Sequence, residues 1–176
     1  MCGRVSYEFE APTEHFVLCH CNRCKKSSGA AFAAGLIVSG LAFLTGEEFI
    51  KQYEAPILVT PPKYRRDFCA ICGSPVPSPL AEGDLHVVPA GTLDSDPGVE
   101  PREHVWVDCE TPWEARINEL PRLTEADFAL ARARELDGSG AQNIAEHYRF
   151  IIERYGKDEA AGAVVTSARS RLAELT

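Results

Sequence analysis

Three cysteines within six residues impose the tightest constraint on how this chain can fold. Cys19, Cys21 and Cys24 form a C-x-C-x-x-C pattern. In an extended segment, residues two apart face the same side, so Cys19 and Cys21 present their sulfurs together. A turn at residues 22–23 is expected to return Cys24 to them, which gathers three thiolates as in a zinc site. Catalytic zinc keeps three protein ligands and structural zinc takes four, so the spacing leaves open whether a distant ligand closes this site.

A second pair of cysteines provides half of another metal site. Cys69 and Cys72 form a C-x-x-C turn that is followed by Gly73. Glycine there allows backbone amides to face the sulfurs, which favours a metal turn. Cys2 is a plausible third ligand, and the alternative is a pair of core or redox-active cysteines. Cys109 lies at the end of a predicted strand, and we expect it to be a free thiol, buried or partly exposed, with metal ligation as the alternative.

The composition restricts the partners and the compartment of this chain. Its 176 residues carry a formal net charge of −8, which disfavours nucleic acid because phosphate recognition needs a basic surface. The longest apolar run, residues 30–38, is too short to cross a bilayer, and the N-terminus lacks a signal-peptide pattern. We therefore expect a cytoplasmic protein with no nucleic-acid or membrane partner. In that compartment, seven cysteines indicate metal ligands or catalytic groups rather than disulfides.

Short strands separated by glycine and proline predict a mainly β domain over residues 1–122. Val5, Tyr7 and Phe9 alternate with polar residues, as is typical of a half-buried strand. Further strands are predicted at residues 15–18, 32–38, 49–53, 57–59, 64–68, 84–88 and 104–107.

In residues 123–176 the strand-like pattern gives way to helical periodicity, which predicts a C-terminal α-helical extension of two to three helices. Thr124, with Asp127 three residues later, resembles a helix N-cap signature. An apolar stripe with helical periodicity follows at Ile144, Tyr148, Ile151, Ile152 and Tyr155. The last two helices are expected to form a hairpin. It resembles one tetratricopeptide unit, but such repeats need several copies, so we favour a packing or dimerisation appendage.

Basic residues flank both cysteine motifs in an otherwise acidic domain. Lys25 and Lys26 follow the first motif, and Arg65 and Arg66 precede the second. They would lower the pKa of nearby thiols and could hold an anionic substrate such as a carboxylate. The alternative is that they are ordinary surface charges and ion pairs.

We expect most histidines and tryptophans near these motifs to have structural rather than catalytic roles. His20 is expected to face away from the metal and either support a ligand or line a pocket. The other histidines in predicted strands, namely His15, His86 and His104, are expected to be structural. Trp106 and Trp113 are expected in the core.

Several motifs, in order along the chain, resemble the glutathione-dependent formaldehyde-activating (GFA) family, which is grouped with the CENP-V proteins. They are C-G-R-V-x-Y-E at residues 2–8, C-H-C-x-x-C-K-K-x-x-G-A at 19–30, R-x-F-C-x-x-C-G-S at 66–74, A-G-T-L-D at 90–94, H-V-W-V at 104–107 and P-W at 112–113. The resemblance covers roughly residues 1–122 and does not extend to the helices. It implies a β-tent domain, in which small antiparallel sheets surround zinc.

The resemblance also implies two zinc sites. Cys19, Cys21 and Cys24 match the ligands of the family's catalytic zinc. Cys2, Cys69 and Cys72 match three of four ligands of a structural zinc, and the fourth would precede Cys2 by two residues. Either the start is misassigned or another group substitutes. One candidate is the α-amine of Cys2 after removal of Met1, because its pKa near 8 makes the neutral form accessible.

The chemistry implied by the resemblance is addition of the glutathione thiol to formaldehyde, which is classed as a carbon–sulfur lyase reaction in the reverse sense. Glutathione or a similar thiol and an aldehyde are then the partners. Lys25, Lys26 and Arg66 would contact the anionic thiol substrate. The alternative is a non-catalytic, zinc-stabilised protein-interaction module. The helical extension could also mediate homo-oligomer formation.

Overall fold

A computed structural model describes residues 1–10, 15–56, 63–80 and 84–176. The chain divides into two compact units, Met1–Ala115 and Arg116–Thr176, which we call the sheet unit and the helical unit. The domain boundary predicted from sequence followed residue 122. The strand predicted at residues 57–59 lies outside the described residues.

The sheet unit is built from short strands and the helix α1, Asn22–Ser28. The strands are β1 Ser6–Glu8, β2 His15–Cys19, β3 Ala33–Val38, β4 Ala42–Thr45, β5 Ile50–Glu54, β6 Arg65–Cys69, β7 Ser78–Pro79, β8 His86–Pro89 and β9 Glu103–Val105. Most correspond to the predicted strands, with shifted ends.

Within the described ranges these strands form small, separate sheets. β1 pairs with β4, β5 pairs with β6, and the remaining five form a sheet in the order β7-β8-β3-β2-β9. All pairs are antiparallel except β2 and β9, which are parallel. The predicted small sheets and C-terminal helices are confirmed. "Mainly β" is a loose description, because 40% of the chain is helical and 23% is strand.

The apolar core of the sheet unit is small and lies between β3 and β8. Leu36 and Val88 are fully buried and Val38 nearly so. Partly buried side chains pack around them, including Tyr7, Phe9 and Phe16. Since apolar burial supplies most of the folding free energy, a core of this size leaves much of the stability to other interactions.

The prediction that the two tryptophans lie in the core is wrong. Trp106 and Trp113 are 57% and 58% exposed. β9 ends at Val105, and Trp106 adopts a left-handed backbone conformation with φ of 62°. The chain therefore leaves the sheet before the indole, which ends the alternation that a longer strand would have continued.

The helical unit contains α2 Glu125–Gly138, α3 Ile144–Tyr155 and α4 Gly162–Leu175. The predicted cap is present: Thr124 Oγ1 accepts from the Asp127 backbone N–H, and the Asp127 carboxylate accepts from the Thr124 N–H. The predicted stripe on α3 is buried at Ile144, Tyr148, Ile151 and Tyr155. These side chains pack with residues of α2 and α4 in one apolar cluster.

No helix in the described part of the chain is both long enough and apolar enough to span a membrane.

Candidate metal centre

The first cysteine cluster forms where β2 leads into α1. Cys19 is the last residue of β2, and Cys21 caps α1, where its Sγ accepts a hydrogen bond from the Cys24 backbone N–H at 3.4 Å. The Sγ atoms of Cys19, Cys21 and Cys24 lie within 4.8 Å of one another. The segment expected to be a turn at residues 22–23 is instead the first turn of a helix, and this helical turn returns Cys24 to the other two cysteines.

The thiols of this first cluster do not ionise independently. A hydrogen bond from Cys24 lowers the pKa of Cys19 to about 6, and the same contact, with burial, raises the pKa of Cys24. A divalent cation would instead stabilise all three as thiolates. No further cysteine, histidine or carboxylate among the described residues joins this group. A metal held here would therefore have a coordination position not filled by these side chains.

The second cluster joins segments that are far apart in sequence. Cys69 ends β6, Cys72 lies in the turn that follows, and Cys2 belongs to the segment before β1. The three Sγ atoms lie within 4.8 Å of one another. The turn is closed by a hydrogen bond from the Gly73 N–H to the Cys69 carbonyl at 2.8 Å, and a backbone hydrogen bond from Ser74 is the main cause that lowers the pKa of Cys72 to about 7.

One sulfur–sulfur distance in the second cluster fits the edge of a tetrahedral metal site. The Sγ atoms of Cys2 and Cys69 are 3.7 Å apart. This is far longer than a disulfide bond of about 2.05 Å. It matches the edge of about 3.8 Å in a tetrahedron with zinc–sulfur bonds of about 2.3 Å. Both cysteine clusters could thus hold a metal ion. Cys109 forms no disulfide and joins neither cluster among the described residues.

A cleft of about 800 Å³ lies beside α1 and the second cysteine turn, and its lining includes Ser27, Phe32, Arg66, Cys72 and Thr92. The Arg66 guanidinium donates to Ser27 Oγ at 2.8 Å. Ser27 lies one helical turn after Cys24, so a cationic group lies near the first cluster.

The other basic residues singled out in the sequence have different surroundings. The Lys25 ammonium donates to the backbone carbonyl of Cys109, and Lys26 is exposed. Of the three predicted anion contacts, Arg66 lines the cleft. The contacts of all three with a substrate stay predictions.

A histidine pair includes His20, which lies between Cys19 and Cys21 in sequence. His20 is 1% exposed, its Nε2 is 2.8 Å from Nδ1 of His104, and its Nδ1 is 2.5 Å from Oε1 of Glu114. Glu110 Oε1 approaches the same Nε2 at 3.8 Å. The sequence drew attention to His20 but missed Glu110 and Glu114, because single acidic residues in a polar segment resemble surface charges.

Small sheets that carry two cysteine clusters define a cysteine-rich protein whose thiols could hold metal ions. The chain belongs to the GFA family: the family model described as "Glutathione-dependent formaldehyde-activating enzyme" matches residues 1–109, which confirms the resemblance seen in the sequence.

No curated protein matches the chain. Among solved structures, a crystal structure of a Rhodobacter sphaeroides protein is similar at 19% identity, covering 59% of this chain and 94% of that chain, with a TM-score of 0.42.

Proposed function

We propose that this protein is a zinc-dependent enzyme of the carbon–sulfur lyase type, which joins a glutathione-like thiol to an aldehyde such as formaldehyde or cleaves the adduct. The observation that supports it best is the first cysteine cluster. It gathers three sulfurs, and no fourth side-chain donor among the described residues accompanies them. That ligand count is typical of catalytic zinc. The second cluster also has three ligands among the described residues, so its structural role is taken from the family resemblance. Membership of the GFA family agrees with this chemistry.

The ligands we assign to the catalytic zinc are Cys19, Cys21 and Cys24, and those of a structural zinc are Cys2, Cys69 and Cys72. Zinc in the first set would supply a Lewis-acidic centre that favours the ionised form of a thiol. In the reaction, a sulfur–carbon bond forms to the aldehyde carbon, the thiol loses its proton, and the aldehyde oxygen gains one. Cleavage of the adduct reverses these changes.

The cleft would bind and orient the thiol beside the first cluster; its lining includes Ser27 and Arg66 but none of the three cysteines of that cluster. Glutathione carries two carboxylates, and Arg66 presents a guanidinium that a carboxylate can engage through two parallel hydrogen bonds. Ser27 Oγ is held by Arg66 at 2.8 Å and by the Tyr64 hydroxyl at 2.7 Å, which fixes the guanidinium. Holding two reactants in one geometry removes much of the entropic cost of a bimolecular step.

Seven free cysteines also fit a cytoplasmic location.

The native, zinc-loaded protein is expected to accelerate exchange between glutathione with formaldehyde and their adduct. Exchange NMR of isotope-labelled formaldehyde measures this rate against the spontaneous reaction. The increase should scale with protein concentration and persist in Cys109→Ala, which removes the cysteine outside both clusters. An exchange rate equal to the spontaneous one, with both zinc sites filled, would contradict the proposed activity.

Arg66→Met is expected to raise KM for glutathione about tenfold, because a hydrogen bond to a charged group contributes about 1.5–3 kcal/mol. KM for 2-mercaptoethanol, which has no carboxylate, should stay unchanged. Steady-state kinetics with both thiols measures the difference. Arg65→Met is the matched control, since Arg65 is the exposed neighbour that pairs with Glu54. An equal loss with both thiols would show that Arg66 supports the structure rather than the substrate.

The second candidate function is a non-catalytic, zinc-stabilised interaction module. The observation that favours it is the exposure of Phe128 and Phe150 on the helical unit, at 64% and 57%. Exposed aromatic side chains suit contacts with a protein partner or a second copy. This candidate gains support if the exchange rate stays at the spontaneous value while the metal content is normal.

A further inference from the structure

We propose a third metal site, for a divalent transition metal such as zinc, formed by His20, His104 and Glu110. One ring nitrogen each from His20 and His104 and one carboxylate oxygen of Glu110 lie within 4.8 Å of one another. This set shares no ligand with either cysteine cluster. Two imidazoles and one carboxylate form a ligand set that zinc uses in open sites, with water in the remaining position.

The strand register separates this site from the thiols. In the parallel pair of β2 and β9, Leu18 is opposite His104 and Cys19 is opposite Val105. Because side chains alternate along a strand, Leu18 and His104 share one face and Cys19 lies on the other. His20 follows Cys19, donates its backbone N–H to the Val105 carbonyl at 2.9 Å, and contacts the His104 ring. The two histidines therefore meet on the face opposite Cys19.

The two distances from His20 Nε2 to the other ligand atoms lie on either side of the ligand–ligand distance expected around a bound metal. With metal–ligand bonds of about 2.0–2.1 Å, the ligand atoms of a tetrahedral site lie about 3.3 Å apart. His20 Nε2 is 2.8 Å from His104 Nδ1 and 3.8 Å from Glu110 Oε1. The direct histidine–histidine hydrogen bond is what a metal would replace. His104 and Glu110 are exposed, so their side chains can shift by the half ångström that this exchange requires.

Glu114 provides the partner that a metal-binding histidine normally has. Its Oε1 atom is 2.5 Å from Nδ1 of His20, and the Glu114 side chain is 9% exposed. A ligating histidine usually offers its second nitrogen to a carboxylate, which fixes the ring and directs the first nitrogen at the metal. Here the Glu114 carboxylate lies beside Nδ1 of His20, and Nε2 faces His104 and Glu110.

The charges at the site also favour a cation. Glu110 and Glu114 bring two carboxylates to an imidazole that is 1% exposed. Buried charge is costly unless it is paired or bound to a metal. A divalent ion would balance the negative charge of both carboxylates. The combination of imidazole and carboxylate suits zinc, cobalt and nickel better than calcium or magnesium.

The test is a titration of the full chain, loaded with zinc at the cysteine sites, with Co²⁺. We expect the native protein to bind one further equivalent, whose visible spectrum lacks sulfur-to-cobalt charge-transfer bands. His104→Gln and Glu110→Gln should abolish this binding. Glu114→Gln should weaken it about 10–100-fold, as for other residues that orient a metal ligand. Glu103→Gln, an exposed carboxylate on the same strand, is the matched control and should bind normally.

Three outcomes would overturn the proposal. Native protein that takes up no further Co²⁺ would show that the histidine pair is only a hydrogen-bonded support. Sulfur-to-cobalt bands would show that the added metal enters a cysteine cluster. Equal uptake by His104→Gln, Glu110→Gln and Glu103→Gln would place the metal elsewhere. His104 and Glu110 are exposed, so loss of folding is not expected to obscure the comparison, and circular dichroism verifies this for each variant.

Discussion

Cys72→Ala is expected to remove one zinc per chain and to unfold the sheet unit at room temperature. The Cys2, Cys69 and Cys72 cluster joins cysteines 67 positions apart in sequence, and a crosslink that closes a long loop restricts the unfolded chain most. Zinc binding at structural sites is worth about 10–16 kcal/mol in small domains, which equals or exceeds the total stability of about 5–15 kcal/mol of a typical protein. The small apolar core around Leu36 and Val88 cannot replace it.

Metal analysis together with amide NMR spectra measures this effect. The resonances of β3 and β8 should lose their dispersion in Cys72→Ala. Cys109→Ala removes a cysteine of similar partial burial that lies in neither cluster, and it should keep both zinc ions and the native spectrum. A Cys72→Ala protein with a native spectrum and an unchanged midpoint of unfolding would show that this metal does not hold the sheet unit together.

Elements with a regular apolar pattern could be predicted from the sequence. The apolar stripe of α3 predicted a helix, because only a helical repeat places Ile144, Tyr148, Ile151 and Tyr155 on one face. These four side chains are buried in the structure. The cap at Thr124 was also predictable, because the oxygen of a threonine side chain and a carboxylate three residues later satisfy two free N–H groups at a helix start.

Elements without such a pattern were missed or misjudged. Helix α1 buries none of its residues, so the sequence of Asn22–Ser28 carries no apolar periodicity, and a turn was predicted in its place. The exposure of Trp106 follows from the end of β9 and the left-handed backbone at that residue. A tryptophan that alternates with Val105 and Val107 gives no indication that the strand has already ended.

The candidate site likewise contains residues whose proximity the sequence predicted and residues whose proximity it did not. Close spacing made the group of Cys19, Cys21 and Cys24 predictable, since six residues cannot separate the three sulfurs by much. The meeting of His20 with His104 spans 84 positions and depends on the parallel pairing of β2 with β9. No local pattern specifies that pairing. The approach of Glu110 and Glu114 depends on the chain turning back after β9, which the sequence also does not reveal.

Cys19→Ala is expected to remove the other zinc while leaving the sheet unit folded, and to lower the rate of thiol–aldehyde exchange about a thousandfold, to the spontaneous value. The three cysteines of this cluster lie within one short segment, so a metal there closes only a small loop and restricts the unfolded chain little. β2 is also held by its register with β3 from His15 to Cys19, which does not require the metal.

Zinc content, unfolding and exchange rate are measured together on Cys19→Ala, Cys72→Ala and Cys109→Ala. The proposed enzyme requires that Cys19→Ala keep a native unfolding midpoint, lose the zinc of the first cysteine cluster while keeping that of the second, and lose the exchange activity. If Cys19→Ala unfolds as completely as Cys72→Ala, both clusters hold the fold together, and the first cannot be assigned a separate catalytic role. The interaction module would then explain the metal content better, because a binding surface needs stable sheets but no open metal position.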